Sequence, residues 1–307
     1  MTPPEARLER RWSAQRPVDI RATLSPLRRG TGDPAFHVDE HGVVWLALNA
    51  PSGPATLALR ASGSDVLATA WGDGAAWALE SIPTLLGDGD DWSGLDLSTQ
   101  PRLAQLLRGL PGLRLVRTQR VLDALVPTIL EQRVTGGEAR SAWRLLLRRY
   151  GAPAPGPNPR LRVPPPPATL LQVPTWDWHL FGVDLQRQRA IRAAATVAPR
   201  LEEIVTMSDA EALRRLRVVQ GIGEWSAAET AQRALGHADT VSTGDYHLHD
   251  LVVFALSGEP RGDDTRMLEL LQPWAGHRQR VVRLIELSGV RKPRYGPRYA
   301  PLDIRSM

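Results

Sequence analysis

The chain has 307 residues, ten tryptophans, no cysteine, a net charge of +5 and a pI near 10.3. Without cysteine there is no disulfide, thiolate zinc site or iron–sulfur cluster, and the length allows two or three domains with cores of their own. The charged opening MTPPEARLERRW has no apolar signal region and no run of eighteen apolar residues occurs, so a soluble, cytoplasmic protein is expected, with no membrane partner.

Charge is unevenly placed. Residues 1–100 carry 8 basic and 13 acidic side chains, a net of −5, whereas residues 101–307 carry 30 and 20, a net of +10. The basic part suits a phosphate backbone. Early in the chain, residues 43–48 (VVWLAL), 56–59 (TLAL) and 66–71 (VLATAW) are short runs separated by Gly, Pro, Ser and Asp, which predicts a small antiparallel sheet. A helix-like piece over 75–86 follows and ends in the acidic turn Gly87-Asp88-Gly89-Asp90-Asp91. Together these define an N-terminal α+β domain over residues 1–98.

From Pro101 the periodicity is helical, which predicts an all-α region over residues 99–290. Leu122, Leu125, Val126, Ile129 and Leu130 make one apolar face that runs into Glu131-Gln132-Arg133-Val134. Ala139, Ala142, Trp143, Leu146, Leu147 and Tyr150 make another, with Arg140, Arg144, Arg148 and Arg149 elsewhere and a stop at Gly151. The proline-rich stretch 151–167 is expected to be a surface connection without regular structure. Trp176 and Trp178 follow and are expected to be structural. An alanine-rich helix is then predicted over about 185–198, and Ser208-Asp209-Ala210-Glu211 has capping-box form.

Residues 213–234 have the pattern of a helix, a tight Gly221-Ile222-Gly223 turn and a second helix starting near Glu224. Two glycines around an apolar residue permit positive φ and close backbone approach. The N–H groups opening the second helix lack intrahelical partners and point outward along the positive end of the dipole, which makes a phosphate site from backbone. About twenty residues on, Ser242-Thr243-Gly244 leads into Asp245 at the mouth of a helix carrying Leu248, Leu251, Val252 and Ala255. Taken alone, such a turn is common in loops, and Asp245 is equally an ordinary helix cap. Pro273-Trp274 then opens a helix over 278–287 stopped by Gly289, and residues 291–307 form a basic, proline-broken tail.

The stretch from Val218 to Asp245, with hairpin, Trp225, Ser226 and the Gly244-Asp245 pair in order, resembles the helix-hairpin-helix DNA glycosylase superfamily, specifically its 3-methyladenine DNA glycosylase II branch. The resemblance covers roughly residues 100–290 by motif and the N-terminal part by pattern alone. It implies an α+β fold in which a small antiparallel sheet domain precedes a two-lobed all-α helix-hairpin-helix core. It also implies a monomeric, nucleoid-associated enzyme of base excision repair that flips an alkylated base out of double-stranded DNA and leaves an abasic site. Asp245 is then the catalytic acid. Trp225, Tyr246, Glu229 and Glu286 fall where the family lines its base pocket, the two glutamates at positions that carry aromatics elsewhere. Gln132, Arg133, Gly221, Ile222, Gly223 and Ser226 fall at the DNA, with Arg133 the wedge candidate or, equally, a solvated arginine at a helix end. No cofactor is implied apart from a monovalent cation, which hairpin carbonyls of the family can hold.

The residues narrow the chemistry. Superfamily members that also cut the strand use a hairpin lysine as a Schiff-base nucleophile. Here that position is Trp225, and the single lysine of the chain is Lys292 in the tail. Direct hydrolysis remains, with Asp245 stabilising the oxocarbenium-like sugar and activating water. His247 and His249, two apart on a helix, diverge, so no metal site is expected. The alternative is a non-catalytic helix-hairpin-helix protein that binds bent or damaged DNA. Such a module gains nothing from a carboxylate near the phosphates.

Overall fold

A computed structural model describes residues 7–291, and the structural statements below concern those residues. The tail beyond Arg291, with Lys292, lies outside them.

Strands β1 (Arg7–Ser13), β2 (Phe36–Val38), β3 (Val44–Ala50), β4 (Gly53–Ser62) and β5 (Asp65–Trp71) form an antiparallel sheet of order β1-β5-β4-β3-β2. Ala50 pairs with Gly53 and Ser62 with Asp65, so two-residue turns fix the register of the central hairpins. The sequence pattern misses β1 and β2. β1 is an exposed edge strand rich in arginine, and β2 has only three residues. One face buries Leu57, Leu59, Val66, Ala68 and Ala70 against the short helices α1 (Ile20–Leu24), α2 (Ala75–Glu80) and α3 (Ile82–Leu85). On the other face, Trp45 and Ala47 pack against Leu161 and Val163.

That second cover corrects one expectation. The proline-rich stretch is not without regular structure, because β6 (Ala152–Pro153) and β7 (Arg162–Val163) pair within it as a small antiparallel ribbon. Pro153 is tolerated because a two-stranded ribbon is all edge, where a missing N–H breaks no central ladder.

The helical part is built on two cores. Helices α5 (Val121–Leu130), α6 (Gly136–Tyr150), α7 (Pro167–Gln172), α8 (Thr175–Leu180), α9 (Leu185–Thr196), α10 (Ala198–Glu202), α11 (Asp209–Val218) and α12 (Glu224–Ala234) surround Leu125, Ile129, Leu146, Trp178 and Ile191. Its centre, α5, is apolar nearly all round, as a helix enclosed by others must be. Helix α4 (Pro101–Gly109) joins α13 (Leu248–Ser257), α14 (Asp264–Leu271) and α15 (Arg278–Leu287) around Val252, Met267, Leu271 and Val281. The chain thus leaves the second lobe after α4, builds the first, and returns through residues 235–247. The two crossings meet at the end of α12, where the Thr118 and Gln119 N–H groups donate to the Arg233 and Ala234 carbonyls. Of the two tryptophans expected to be structural, Trp178 is in the core, whereas Trp176 is 68% exposed. No helix among the described residues is long and apolar enough to cross a membrane.

Candidate active site

The hairpin is fixed from three directions. Ile222 is buried in the first-lobe core. Gly221 takes φ +86, and a Cβ there would stand 2.7 Å from the Ala190 Cβ on α9, so both backbone and packing demand glycine. Gly223 differs: its φ is −91 and nothing lies within 4 Å of a Cβ built on it. The turn therefore needs one glycine for its shape, while the other keeps the surface ahead of α12 bare. No side chain caps α12. Its first turn does carry Glu224, an acid opposing a phosphate there, and Arg217 pairs with that carboxylate at 3.2 Å.

The third anchor is Gln132. Its Nε2 donates to the Gly221 carbonyl at 3.0 Å and to Ser226 Oγ at 2.8 Å, tying the end of α5 to the hairpin. Ser226 is only 2% exposed, so the expectation that it meets DNA is corrected: its hydroxyl is turned inward to hold Gln132. The next residue, Arg133, is exposed and sits at φ +54, a left-handed conformation that side chains adopt at a cost of about 1–3 kcal/mol. Behind it, the Thr135–Glu138 capping box opens α6, and Arg29 from the N-terminal part holds Glu131 at 2.6 Å. The loop presenting Arg133 is thus clamped on both sides.

Asp245 lies on the return crossing, facing α12. Its Oδ2 accepts the Trp225 indole N–H at 2.9 Å, and its Oδ1 accepts the backbone N–H groups of His247 and Leu248 at 2.8 and 2.9 Å. The carboxylate is therefore fixed by one helix from each lobe. Trp225 is half-buried beside it. Tyr246, expected in the pocket, is 76% exposed with its ring against His247, so it stands at the rim and lines no enclosed wall.

One turn beyond Trp225 on the same face of α12 stands Glu229. Arg233 holds its Oε2 at 2.6 Å and the Ser242 hydroxyl donates to its Oε1 at 2.5 Å, so its charge is already compensated. Burial alone would lower the pKa of the Arg233 guanidinium, but Glu229, Glu131 and Glu286 outweigh it and hold the group above its ordinary value. Arg233 also donates to the Pro26 carbonyl. Glu286 on α15 pairs with Arg283 at 2.9 Å, and Arg283 reaches the Ala22 carbonyl and the Ser25 hydroxyl. Both glutamates are thus linked through arginines to a segment of the N-terminal part. Sequence reasoning missed Arg233, although its spacing of four from Glu229 was legible as a helical ion pair. It also missed Ser242 and the N-terminal segment, which only tertiary folding brings there.

Of the carbonyls relevant to a monovalent cation, Gly221 already accepts from Gln132 and Val219 from the Ile222 N–H. Each keeps one lone pair. Among the described residues no group of histidines and acids has metal-site geometry.

No protein-family model and no curated protein matches the chain. Solved structures do. The 3-methyladenine DNA glycosylase from Archaeoglobus fulgidus aligns over 91% of this chain and 98% of its own, with a TM-score of 0.77 at 15% identity. The chain has the fold of the helix-hairpin-helix DNA glycosylases. The 8-oxoguanine glycosylase/lyase of Clostridium acetobutylicum, in complex with double-stranded DNA containing cytosine opposite the lesion, aligns over 87% of this chain and 90% of its own (TM-score 0.65, 12% identity). A 3-methyladenine DNA glycosylase of fission yeast, in complex with abasic DNA, aligns over 66% and 97% (TM-score 0.53, 16% identity). The α+β architecture expected from the sequence is the one observed, sheet first and paired helical lobes after it.

Proposed function

We propose that this protein is a DNA N-glycosylase of base excision repair, acting as a monomer on duplex DNA, without strand cleavage, on alkylated bases of the 3-methyladenine type. The observation that carries the reading is the fixed Asp245 carboxylate between the lobes, one helix away from a backbone phosphate turn. The activities named for the similar solved structures support the reaction class. The glycosylase of Archaeoglobus fulgidus supports the choice of lesion.

In this reading the hairpin N–H groups take a phosphate and Arg133 fills the gap left by the extruded nucleotide. The base enters beside Trp225, with Tyr246 at the rim. The C1′–N bond breaks and its electron pair leaves with the base, which departs neutral because alkylation had made it cationic. Asp245 stabilises the positive sugar and accepts a proton from the water that adds to C1′, passing it on to solvent. The position that would carry a lyase amine is Trp225, and residues 7–291 contain no lysine.

A second reading, a DNA-binding module without chemistry, is favoured by the bonds from Asp245 to His247 and Leu248, which are those of a helix cap. Released base and strand breaks, with and without hot alkali, separate the two. Base release by wild type but not by Asp245→Asn, with breaks only after alkali, is expected. Tight, salt-sensitive binding without release from any alkylated duplex would establish the module instead.

A further inference from the structure

Asp245 is delivered by Gly244, which sits at φ +79 with nothing within 4 Å of a Cβ built on it. Such a residue has little of its own to hold it. Its N–H donates at 2.7 Å to Oδ2 of Asp264, twenty residues later in the chain and the first residue of α14. Helix α14 has its own cap in Asp263, whose carboxylate accepts the Arg266 N–H at 2.8 Å, so Asp264 is not needed to start the helix.

Its other oxygen makes the case stronger. Asp264 Oδ1 is buried without a hydrogen-bond partner, a situation that opposes folding and calls for a reason. Facing it at 3.9 Å is Nδ1 of His249 on α13, whose Nε2 lies 3.8 Å from Asp250. Both distances are within ion-pair reach and beyond hydrogen bonding. Asp264 thus stands where α13, α14 and the Gly244-Asp245 turn meet, directly behind the acid.

We propose that Asp264 is a positioning residue for Asp245, a role that rests on the glycosylase reading above. Trp225 and the α13 N–H groups hold the carboxylate of Asp245; Asp264 holds the backbone that carries it. Removing that bond frees the turn to swing at Gly244, and a displacement of about 1 Å at a reacting group can cost about 100-fold in rate.

The test compares Asp264→Ala and Asp264→Asn with wild type, using the full chain and duplex DNA treated with a methylating agent. Three quantities are measured: single-turnover base release, affinity for a duplex carrying a tetrahydrofuran abasic analogue, and the thermal midpoint. Asp264→Ala is expected to release base about 10- to 100-fold more slowly, with affinity within about twofold and an unchanged midpoint. Asp264→Asn keeps an amide oxygen for the Gly244 N–H and is expected to stay within about threefold of wild type. Equal rates in wild type and Asp264→Ala overturn the role, as do two equally slow variants or a rate loss that follows affinity or midpoint. A wild type that releases nothing sinks the glycosylase reading, and this role with it. An active wild type with an unaffected Asp264→Ala sinks this role alone.

Discussion

The Trp225 indole N–H donates to Asp245 Oδ2 across 2.9 Å, joining the two helical lobes through the acid itself. A hydrogen bond to an ionised group is worth about 1.5–3 kcal/mol, enough to fix an orientation against solvent. Trp225→Phe keeps an aromatic ring, though a smaller one, and removes the donor. Single-turnover excision is expected to fall about tenfold or more, since about 1.4 kcal/mol corresponds to a factor of ten, with duplex affinity unchanged. An unaltered rate would show that the other bonds to Asp245 suffice.

The hairpin glycines are expected to separate stability from binding. Gly221→Ala places a side chain at φ +86 and 2.7 Å from Ala190, so unfolding free energy should drop by about 1–3 kcal/mol. Gly223→Ala adds a methyl in open space on extended backbone and should leave the denaturant midpoint in place. If the hairpin takes a phosphate as proposed, it should nevertheless weaken duplex binding, because the methyl would stand in front of α12. Urea titration and fluorescence anisotropy of labelled duplex measure the two effects, and equal losses in both variants would contradict the division.

The fold was largely legible, and the reason is local. Short strand runs, the Gly-, Pro-, Ser- and Asp-bearing turns between them and the helix-turn-helix pattern around Ile222 each lie within a short window, so composition and glycine placement exposed them. Asp245 was legible for the same reason, as an acid at a helix mouth. What escaped depends on distance in the chain. Asp264 meets Gly244 from twenty residues away, and Arg29 reaches Glu131 across 102. The inward turn of Ser226 is set by Gln132 just past the end of α5, and no pattern within α12 signals it. β1 escaped because charged side chains on an edge strand break the apolar alternation that marks a strand.

Stability should respond to pH through His237 at the start of the return crossing. Burial lowers its pKa, Asp209 at 3.0 Å opposes that, and Arg117 adds to it, with a net value below the ordinary 6.5. Below pH 6.5 the unfolded chain therefore binds more protons than the folded one, and stability falls as pH drops toward the folded value. Asp239 does not confuse the window. Burial raises it, but Arg278 and neighbouring N–H groups bring it below 3.8, so its contribution is lost only in stronger acid. Urea midpoints at pH 7.5 and 5.5 should differ more for wild type than for His237→Asn; equal differences would remove His237 as the cause.

Arg133 is exposed, as any solvated arginine is, but it also holds a left-handed φ of +54 between two clamped flanks, a conformation that a solvated arginine at a helix end does not need. Glycine adopts that conformation without strain, so Arg133→Gly should raise unfolding free energy by about 1 kcal/mol. If the side chain fills the gap left by an extruded nucleotide, the same change should slow excision. The loss should be greater from a fully paired duplex than from one in which the lesion is mispaired, because less energy is needed to unstack a mispaired base. Thermal denaturation gives the first quantity and single-turnover release from matched and mismatched duplexes the second. A variant that is more stable and equally active on both duplexes would leave the strained loop without its assigned purpose.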